Sequence, residues 1–185
     1  MKARIKRINR EELGQALVEL SLAVVVLCVF VSGIVDFGRA IYDLQVMKNL
    51  VGEGSMMAMR SPNAAAAVNS VTNYAGSDIN LSTQGCVIVT QVTNQGGTPA
   101  VYQITDQASQ CAISASSKVG CLKGQGGCQS SNAVLPPAAV TALTTEPTGS
   151  AIYVTEIYYA YNTVTPIAAL LKKTMPSQFY SVAYY

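Results

Sequence analysis

The longest apolar run of the chain lies near its N-terminus and predicts a membrane-spanning helix. Residues 16–35 contain a single charged residue, Glu19, and a helix of this length, at about 1.5 Å per residue, crosses a bilayer core. Helical periodicity continues beyond the run until Ser61-Pro62, where proline disfavours helical geometry in the residue before it. We therefore expect one helix over residues 15–60, membrane-spanning over 15–35 and amphipathic over 36–60. Its apolar or small stripe consists of Phe37, Ala40, Leu44, Met47, Val51, Gly54 and Ala58.

The remaining residues, 61–185, predict a small domain with both helix and strands. Segments 86–93 and 100–105 alternate in polarity around a Gly-Gly connection, which is typical of a β-hairpin. We expect a small antiparallel sheet packed on the upper half of the long helix, an α+β fold. The other expected elements are a weak helix over 63–74 capped by Asn63 and ended by Gly76, a Gly/Ser/Gln-rich loop over 109–137, a strand over 151–163, a short helix or turn over 165–173 and a terminal strand over 179–185.

Charge is unevenly distributed along the 185 residues. Five of the twelve basic residues precede Gly14, whereas charged residues make up only 12% of the whole chain. By the positive-inside rule this basic leader, residues 1–14, stays in the cytoplasm and everything beyond about Asp36 is exported. A net charge of +2 is too small to indicate a nucleic-acid partner. The chain has no histidine, which removes the commonest general base, so we expect a non-enzymatic protein without a cofactor.

A secretory signal peptide cut near Gly33 is an alternative interpretation of the N-terminus. Against it, the apolar run exceeds the usual length of about 7–15 residues in such signals, and the helical pattern continues without a break.

Four of the five cysteines lie in the predicted exported part. An even number in an oxidising compartment indicates two disulfides, with three connectivities open. We favour Cys86–Cys111, at the base of the hairpin, and Cys121–Cys128, around a glycine-rich loop. A metal site is the rival interpretation, but the sequence has no Cys-x-x-Cys pair. Cys28, in the span, is interpreted as a small packing residue.

Gly14 and Glu19 suggest a specific use for the N-terminal helix. A basic leader ending in glycine, a glutamate five positions later and a long apolar helix together resemble a type IV prepilin. The resemblance implies that a prepilin peptidase cuts between Gly14 and Gln15. It also implies that Glu19 pairs with the N-terminal amine of a neighbouring subunit.

Two ungapped blocks are similar to the TadE-like minor pseudopilins of the tight-adherence (Tad/Flp) pilus. The first is Gly-Gln-Ala-Leu-Val-Glu, residues 14–19, and the second is Gly-Ile-Val-Asp-Phe-Gly-Arg, residues 33–39. The second block contributes the signature residues Gly33, Asp36, Phe37, Gly38 and Arg39. Leu20 stands where Flp major pilins have tyrosine, which favours a minor pseudopilin.

The resemblance implies a structural protein of the cytoplasmic membrane that enters a pilus or a related secretion apparatus. Its expected partners are other pilins and pseudopilins, the assembly platform, the prepilin peptidase and the lipid bilayer. A single-pass anchor carrying an exported binding or adhesion domain is the rival function. Seven tyrosines in the last 33 residues are either core residues or an exposed face for contact with a surface or host. These are Tyr153, Tyr158, Tyr159, Tyr161, Tyr180, Tyr184 and Tyr185.

Overall fold

The computed structural model describes residues 10–60, 64–76, 79–94, 96, 99–103, 111–119, 134–165 and 176–185. The chain divides into two compact units, Met1–Arg39 with Thr163–Met175, and Ala40–Asn162 with Pro176–Tyr185. The described elements are α1 (Arg10–Arg60), α2 (Ala64–Ala75), α3 (Leu81–Gln84), β1 (Gly85–Asn94), β2 (Pro99–Gln103), α4 (Pro137–Thr145), β3 (Ala151–Ala160) and β4 (Gln178–Tyr184).

The first unit holds the apolar part of α1. Every described side chain over residues 14–30 is exposed, including large apolar ones such as Leu22 and Leu27. Among the described residues one helix is long and apolar enough to cross a membrane, and it is this one. The helix begins at Arg10 rather than near residue 15, so the end of the basic leader is helical as well.

The second unit is built on a four-stranded antiparallel sheet with strand order β2-β1-β3-β4. The predicted hairpin is present as β1 and β2, and the two later predicted strands are present as β3 and β4. Opposite residues such as Cys86 and Tyr158 share a face, because cross-strand partners in an antiparallel pair point the same way. The α+β fold expected from the sequence is confirmed.

One face of this sheet packs against the second half of α1 and against α2. A side-chain carbon built on Gly54 would lie 2.7 Å from Val71 and 2.9 Å from Thr155, so only glycine permits this approach. Ser55 donates a hydrogen bond to the carbonyl of Ala183 at 3.3 Å. The buried positions of α1 in this unit are Ala40, Asp43, Met47, Leu50, Val51, Gly54, Ser55 and Ala58.

The predicted stripe is therefore buried from Ala40 onward, apart from Leu44, which is half-buried, and it is wrong at its first position. Phe37 is 49% exposed, whereas Asp36 beside it is fully buried. The reason is that Asp36 binds polar groups of another segment of the first unit, as described below.

The opposite face of the sheet is covered by an irregular segment, residues 111–119, and by helix α4. Val119 and Leu143 from this layer pack on Val92 and Val154 of the sheet. The buried Asn94 side chain donates to the carbonyls of Leu143, at 3.2 Å, and Glu146, at 2.8 Å, and so holds the end of α4.

Helices α3 and α4 were not predicted. Helix α3 is only four residues long, and α4 begins at Pro137, after Pro136, at the end of a segment whose composition is typical of a loop. Helix α2 ends as expected before Gly76, which has a positive φ of 56°. Its predicted cap Asn63, and residues 166–173 of the predicted helix or turn, lie outside the described residues.

Candidate functional site

Gly14, the predicted cleavage position, lies inside helix α1 rather than before it. A side-chain carbon built on Gly14 would meet nothing within 4 Å, so neighbouring groups do not require glycine there. Both Gly14 and Gln15 are exposed. Because glycine inside a helix costs about 1 kcal/mol relative to alanine, the helix is locally weak at this point.

Glu19 projects from the exposed part of α1 among apolar side chains. Its neighbours Val18 and Leu20 are each 61% exposed. A carboxylate here raises the free energy of membrane insertion by up to about 2.5–3.5 kcal/mol near the centre of the bilayer, and by less near an interface. A partner outside this subunit would offset that cost.

Asp36 is the member of the signature block that makes a defined internal contact. Its carboxylate is fully buried and accepts hydrogen bonds from the backbone N–H groups of Val164, at 3.1 Å, and Thr165, at 3.4 Å. The Thr165 hydroxyl donates a third, short hydrogen bond to the other carboxylate oxygen. We call this arrangement the Asp36 clasp. Of the other signature residues, Gly33 is half-buried, and those exposed are Phe37, Gly38 and Arg39.

A second buried carboxylate, Glu156, lies in the middle of β3 in the second unit. It accepts hydrogen bonds from the Lys118 backbone N–H at 2.9 Å and from the hydroxyls of Tyr180 at 2.9 Å and Tyr158 at 3.3 Å. The Ser117 hydroxyl donates a further, short hydrogen bond. These five residues form the Glu156 cluster, which fastens segment 111–119 to the sheet.

The charge of Glu156 affects the aromatic groups around it. Burial raises the pKa of the Tyr158 and Tyr180 hydroxyls well above their ordinary value, and the nearby carboxylate raises both further. The pKa of Tyr184 is raised for the same two reasons. The Lys118 ammonium lies 3.6 Å from the centre of the Tyr180 ring. This cation–π contact places a positive charge beside the negatively charged carboxylate of the cluster.

The same segment is tied covalently to the sheet. Cys86 of β1 is joined to Cys111 by a disulfide, the pairing that the hairpin geometry favoured. Cys121 and Cys128 lie outside the described residues, so their predicted pairing stays a prediction. Cys28 is a free, exposed cysteine in the apolar part of α1.

The tyrosine-rich C-terminal region is mostly core. Of its seven tyrosines, only Tyr185 is exposed, at 45%, and the rest are buried or half-buried. Tyr158 packs on Tyr180 and Tyr161 packs on Phe179, with ring centres 4.9 and 5.0 Å apart. Six of the seven rings therefore fill the sheet layers, as the interpretation of these tyrosines as core residues predicts.

Sequence reasoning did not find the Glu156 cluster or the function of Asp36 in the fold. A single carboxylate inside an otherwise apolar and aromatic strand is a detectable signal, because an unpaired buried charge is too unfavourable to persist. Its partners, however, lie in a segment whose composition predicts only a loop.

Comparison with known proteins bears on the N-terminal segment. The family model described as TadE-like protein matches residues 14–55, a range that begins at Gly14 and includes Glu19 and the signature block. No curated protein and no solved structure matches the chain. The matched family is a structural, non-enzymatic family associated with Tad pili. Residues 14–55 are thus similar to the TadE-like family.

Proposed function

We propose that this chain is a structural minor pseudopilin that takes part in assembling a Tad/Flp type IV-like pilus or a related secretion apparatus. It is inserted in the cytoplasmic membrane through residues 15–35, with its leader in the cytoplasm and its sheet domain outside. A prepilin peptidase removes the leader after Gly14. The observation that carries this proposal is the family match, which starts at the proposed cleavage site and covers the exposed apolar helix.

The helical position of Gly14 agrees with such processing. A peptidase needs an extended backbone at the scissile bond, so α1 must unwind around residues 14 and 15 before cleavage. Glycine reduces the cost of unwinding by about 1 kcal/mol relative to alanine, and it leaves room for the enzyme beside the backbone. A bulky side chain at residue 14 removes both advantages.

Glu19 is the residue that would distinguish an assembling subunit from a simple anchor. After cleavage, Gln15 carries a new amine one helical turn from Glu19. In a filament the exposed apolar surface of residues 14–30 packs against like helices, where a carboxylate and an amine from neighbouring subunits neutralise each other. A simple anchor has no need of a glutamate at this position.

The N-terminus of the protein purified from cells that carry the cognate peptidase tests the proposal. We expect Gln15 as the first residue in these cells, Met1 in cells lacking the peptidase, and Met1 for Gly14→Leu in both. Recovery of Met1 in all three cases would instead support the rival function, a single-pass anchor for an exported binding domain. A terminus near Ile34 would indicate a secreted protein.

Assembly is tested separately with Glu19→Ala. We expect this variant to be inserted and cleaved normally, because removing a charge favours insertion, yet to be lost from complexes with other pilus subunits. Glu53→Ala is the matched control, since Glu53 is an exposed carboxylate of the same helix in the exported unit. Equal co-purification of both variants with the pilins would refute a role for Glu19 in assembly.

A further inference from the structure

Strand β4 forms one edge of the sheet, and half of its backbone groups point away from β3. Tyr153 and Tyr185, at the end of this strand pair, exchange two backbone hydrogen bonds, at 2.6 and 3.0 Å. Because such bonded pairs alternate along an antiparallel ladder, the N–H and C=O groups of Tyr180, Val182 and Tyr184 face outward. In the described part of the chain no strand lies beyond β4, and no loop group bonds to the backbone of these three residues.

Strand β2 forms the opposite edge of the same sheet. The N–H of Asn94 donates to the carbonyl of Ser150, just before β3, at 2.8 Å, so the even-numbered residues of β1 bond toward β3 and the odd-numbered ones toward β2. The register between β1 and β2 then turns the backbone groups of Pro99, Val101 and Gln103 outward. The missing N–H of Pro99 therefore costs no bond within the sheet, as is usual for proline in an edge strand.

The two edges lack the side chains that usually keep sheets from associating. Charged residues on an edge strand, lysine above all, prevent it from pairing with another sheet. Strand β2 (PAVYQ) and strand β4 (QFYSVAY) contain no charged residue. Pro99 does hinder pairing, but it stands at one end of β2 and leaves Val101 and Gln103 able to donate. Both edges therefore suit the addition of a strand from another molecule.

The strand directions decide which edges can meet. Strand β1 runs opposite to β2 and to β3, and β3 runs opposite to β4, so β4 and β2 are antiparallel to each other. Two copies side by side in the same orientation therefore bring β4 of one against β2 of the next as an antiparallel pair. Pairing β4 with β4 is also antiparallel, but this twofold arrangement reverses the direction of the α1 segments that pack on the two sheets. Copies inserted in one membrane in the same orientation allow only the first arrangement.

We propose that the outward edge of β4 binds strand β2 of a second copy of this chain, so that neighbouring sheets join head to tail. Placing Val182 opposite Val101 and Tyr180 opposite Gln103 gives two pairs that each exchange both backbone hydrogen bonds. Such a contact is too small to hold two free domains together, so it forms where the membrane helices already keep copies close. The inference rests on the proposed function for the common orientation of these copies.

Cysteine cross-linking in cells that assemble the pilus tests the pairing. In the proposed register Ala183 lies opposite Ala100, in a pair without direct hydrogen bonds whose Cα atoms are about 4.5 Å apart, within reach of a disulfide. Differently tagged Ala183→Cys and Ala100→Cys chains are co-expressed in a Cys28→Ser background, which removes the exposed free cysteine. After mild oxidation, we expect peptide mapping to find residue 183 of one copy joined to residue 100 of another. Neither variant expressed alone should form this link.

The twofold arrangement has its own test. In the β4–β4 register that pairs the most outward groups, Ser181 lies opposite Ser181 of the other copy. Ser181→Cys, expressed alone in the same background, should therefore cross-link to itself only if the copies pair by a twofold axis. We expect no such link.

The contribution of the β4 backbone is tested at Val182 in the Ala183→Cys chain. Val182→Pro removes an N–H that points away from β3, so the ladder within the sheet stays intact. Val182→Ala is the matched control, because it loses the same packing of the valine side chain and keeps the N–H. We expect the yield of the 183–100 link to fall roughly 10-fold with proline and to stay within about twofold with alanine. Similar unfolding midpoints for the two variants would show that both remain folded, and the link in the parent chain decides the proposal in any case.

Four results would overturn the inference in different ways. A link of Ser181→Cys to itself replaces the head-to-tail arrangement by a twofold one, and a link from residue 183 to another pilus subunit replaces the second copy as the partner. Equal yields for proline and alanine at residue 182 exclude pairing through the β4 backbone. No 183–100 link, with other pilins still co-purifying, overturns this inference and leaves the proposed function intact, whereas absence of both for this chain overturns both.

Discussion

The Glu156 cluster permits a sharp prediction about which property of a buried carboxylate, its charge or its hydrogen-bond acceptors, stabilises the second unit. One carboxylate oxygen accepts from Lys118, Tyr158 and Tyr180, and the other accepts from Ser117. Glu156→Ala removes the acceptor of the Lys118 N–H and of the Ser117 and Tyr180 hydroxyls, whereas the Tyr158 hydroxyl keeps the Ser116 carbonyl, at 2.7 Å. A buried donor left without an acceptor costs about 1–3 kcal/mol, so we expect the loss of this shared acceptor to lower the free energy of unfolding by about 3–5 kcal/mol.

Glutamine should behave very differently at the same position. In Glu156→Gln the amide oxygen can occupy the place of the first carboxylate oxygen and accept the same three hydrogen bonds. The amide N–H₂ then faces the Ser117 hydroxyl, which can accept from it. Glu156→Gln therefore removes only the negative charge. Because burying that charge is itself unfavourable, we expect the free energy of unfolding to fall by less than about 1.5 kcal/mol.

Thermal unfolding of the full chain in detergent, followed by near-ultraviolet circular dichroism of the tyrosines, measures the difference. At about 4 °C per kcal/mol for a domain of this size, Glu156→Ala lowers the midpoint by roughly 12–20 °C and Glu156→Gln by at most about 6 °C. Glu146→Gln is the control, since its exposed side chain predicts a change within about 0.5 kcal/mol. Equal losses for alanine and glutamine would refute the reasoning and show that the negative charge itself holds segment 111–119.

Three further predictions concern the same unit. Gly54→Ala should destabilise it by about 1–3 kcal/mol, because the new carbon clashes with α2 and β3. Gly52→Ala is the control and should be neutral or stabilising, since its new carbon would meet only the Tyr185 hydroxyl, at 3.9 Å. Equal effects of the two variants on the unfolding midpoint would contradict the close packing at Gly54. Folding raises the pKa of the Tyr158, Tyr180 and Tyr184 hydroxyls, so as pH rises the unfolded chain loses these protons before the folded one does. The free energy of unfolding should therefore be unaffected below about pH 10 and should fall as the pH rises further. Unfolding midpoints measured between about pH 8 and pH 12 check this, and midpoints that do not change with pH would contradict it. Replacing Cys86 and Cys111 together by serine should remove roughly 3 kcal/mol, and a non-reducing peptide map that joined either one to Cys121 or Cys128 would contradict the bridge.

The parts of the fold that sequence predicts well are those with a regular period. The apolar run and its helical continuation predict α1 to within a few residues, and alternation around the Gly-Gly connection predicts the hairpin strands β1 and β2. Helix α4 has no such period: most of its side chains are exposed or half-buried, and only Leu143 is buried. The helix starts at Pro137, and its end is fixed by the hydrogen bond that the Asn94 side chain donates to the Leu143 carbonyl. These two residues are about fifty positions apart, so no local sequence pattern contains this contact.

The two buried carboxylates show that a residue's place in a sequence motif does not reveal its structural role. Asp36 is visible in the sequence as a signature residue, but the groups it binds lie 128 and 129 positions later, so nothing nearby indicates that it is buried. Glu156 belongs to no motif, and its position in an apolar strand is the only local sign that donors must surround it. Each carboxylate fixes an irregular segment, the first near the proposed membrane exit and the second on the sheet. Backbone N–H groups of segments without regular structure need such acceptors, and a single carboxylate can satisfy several of them at once.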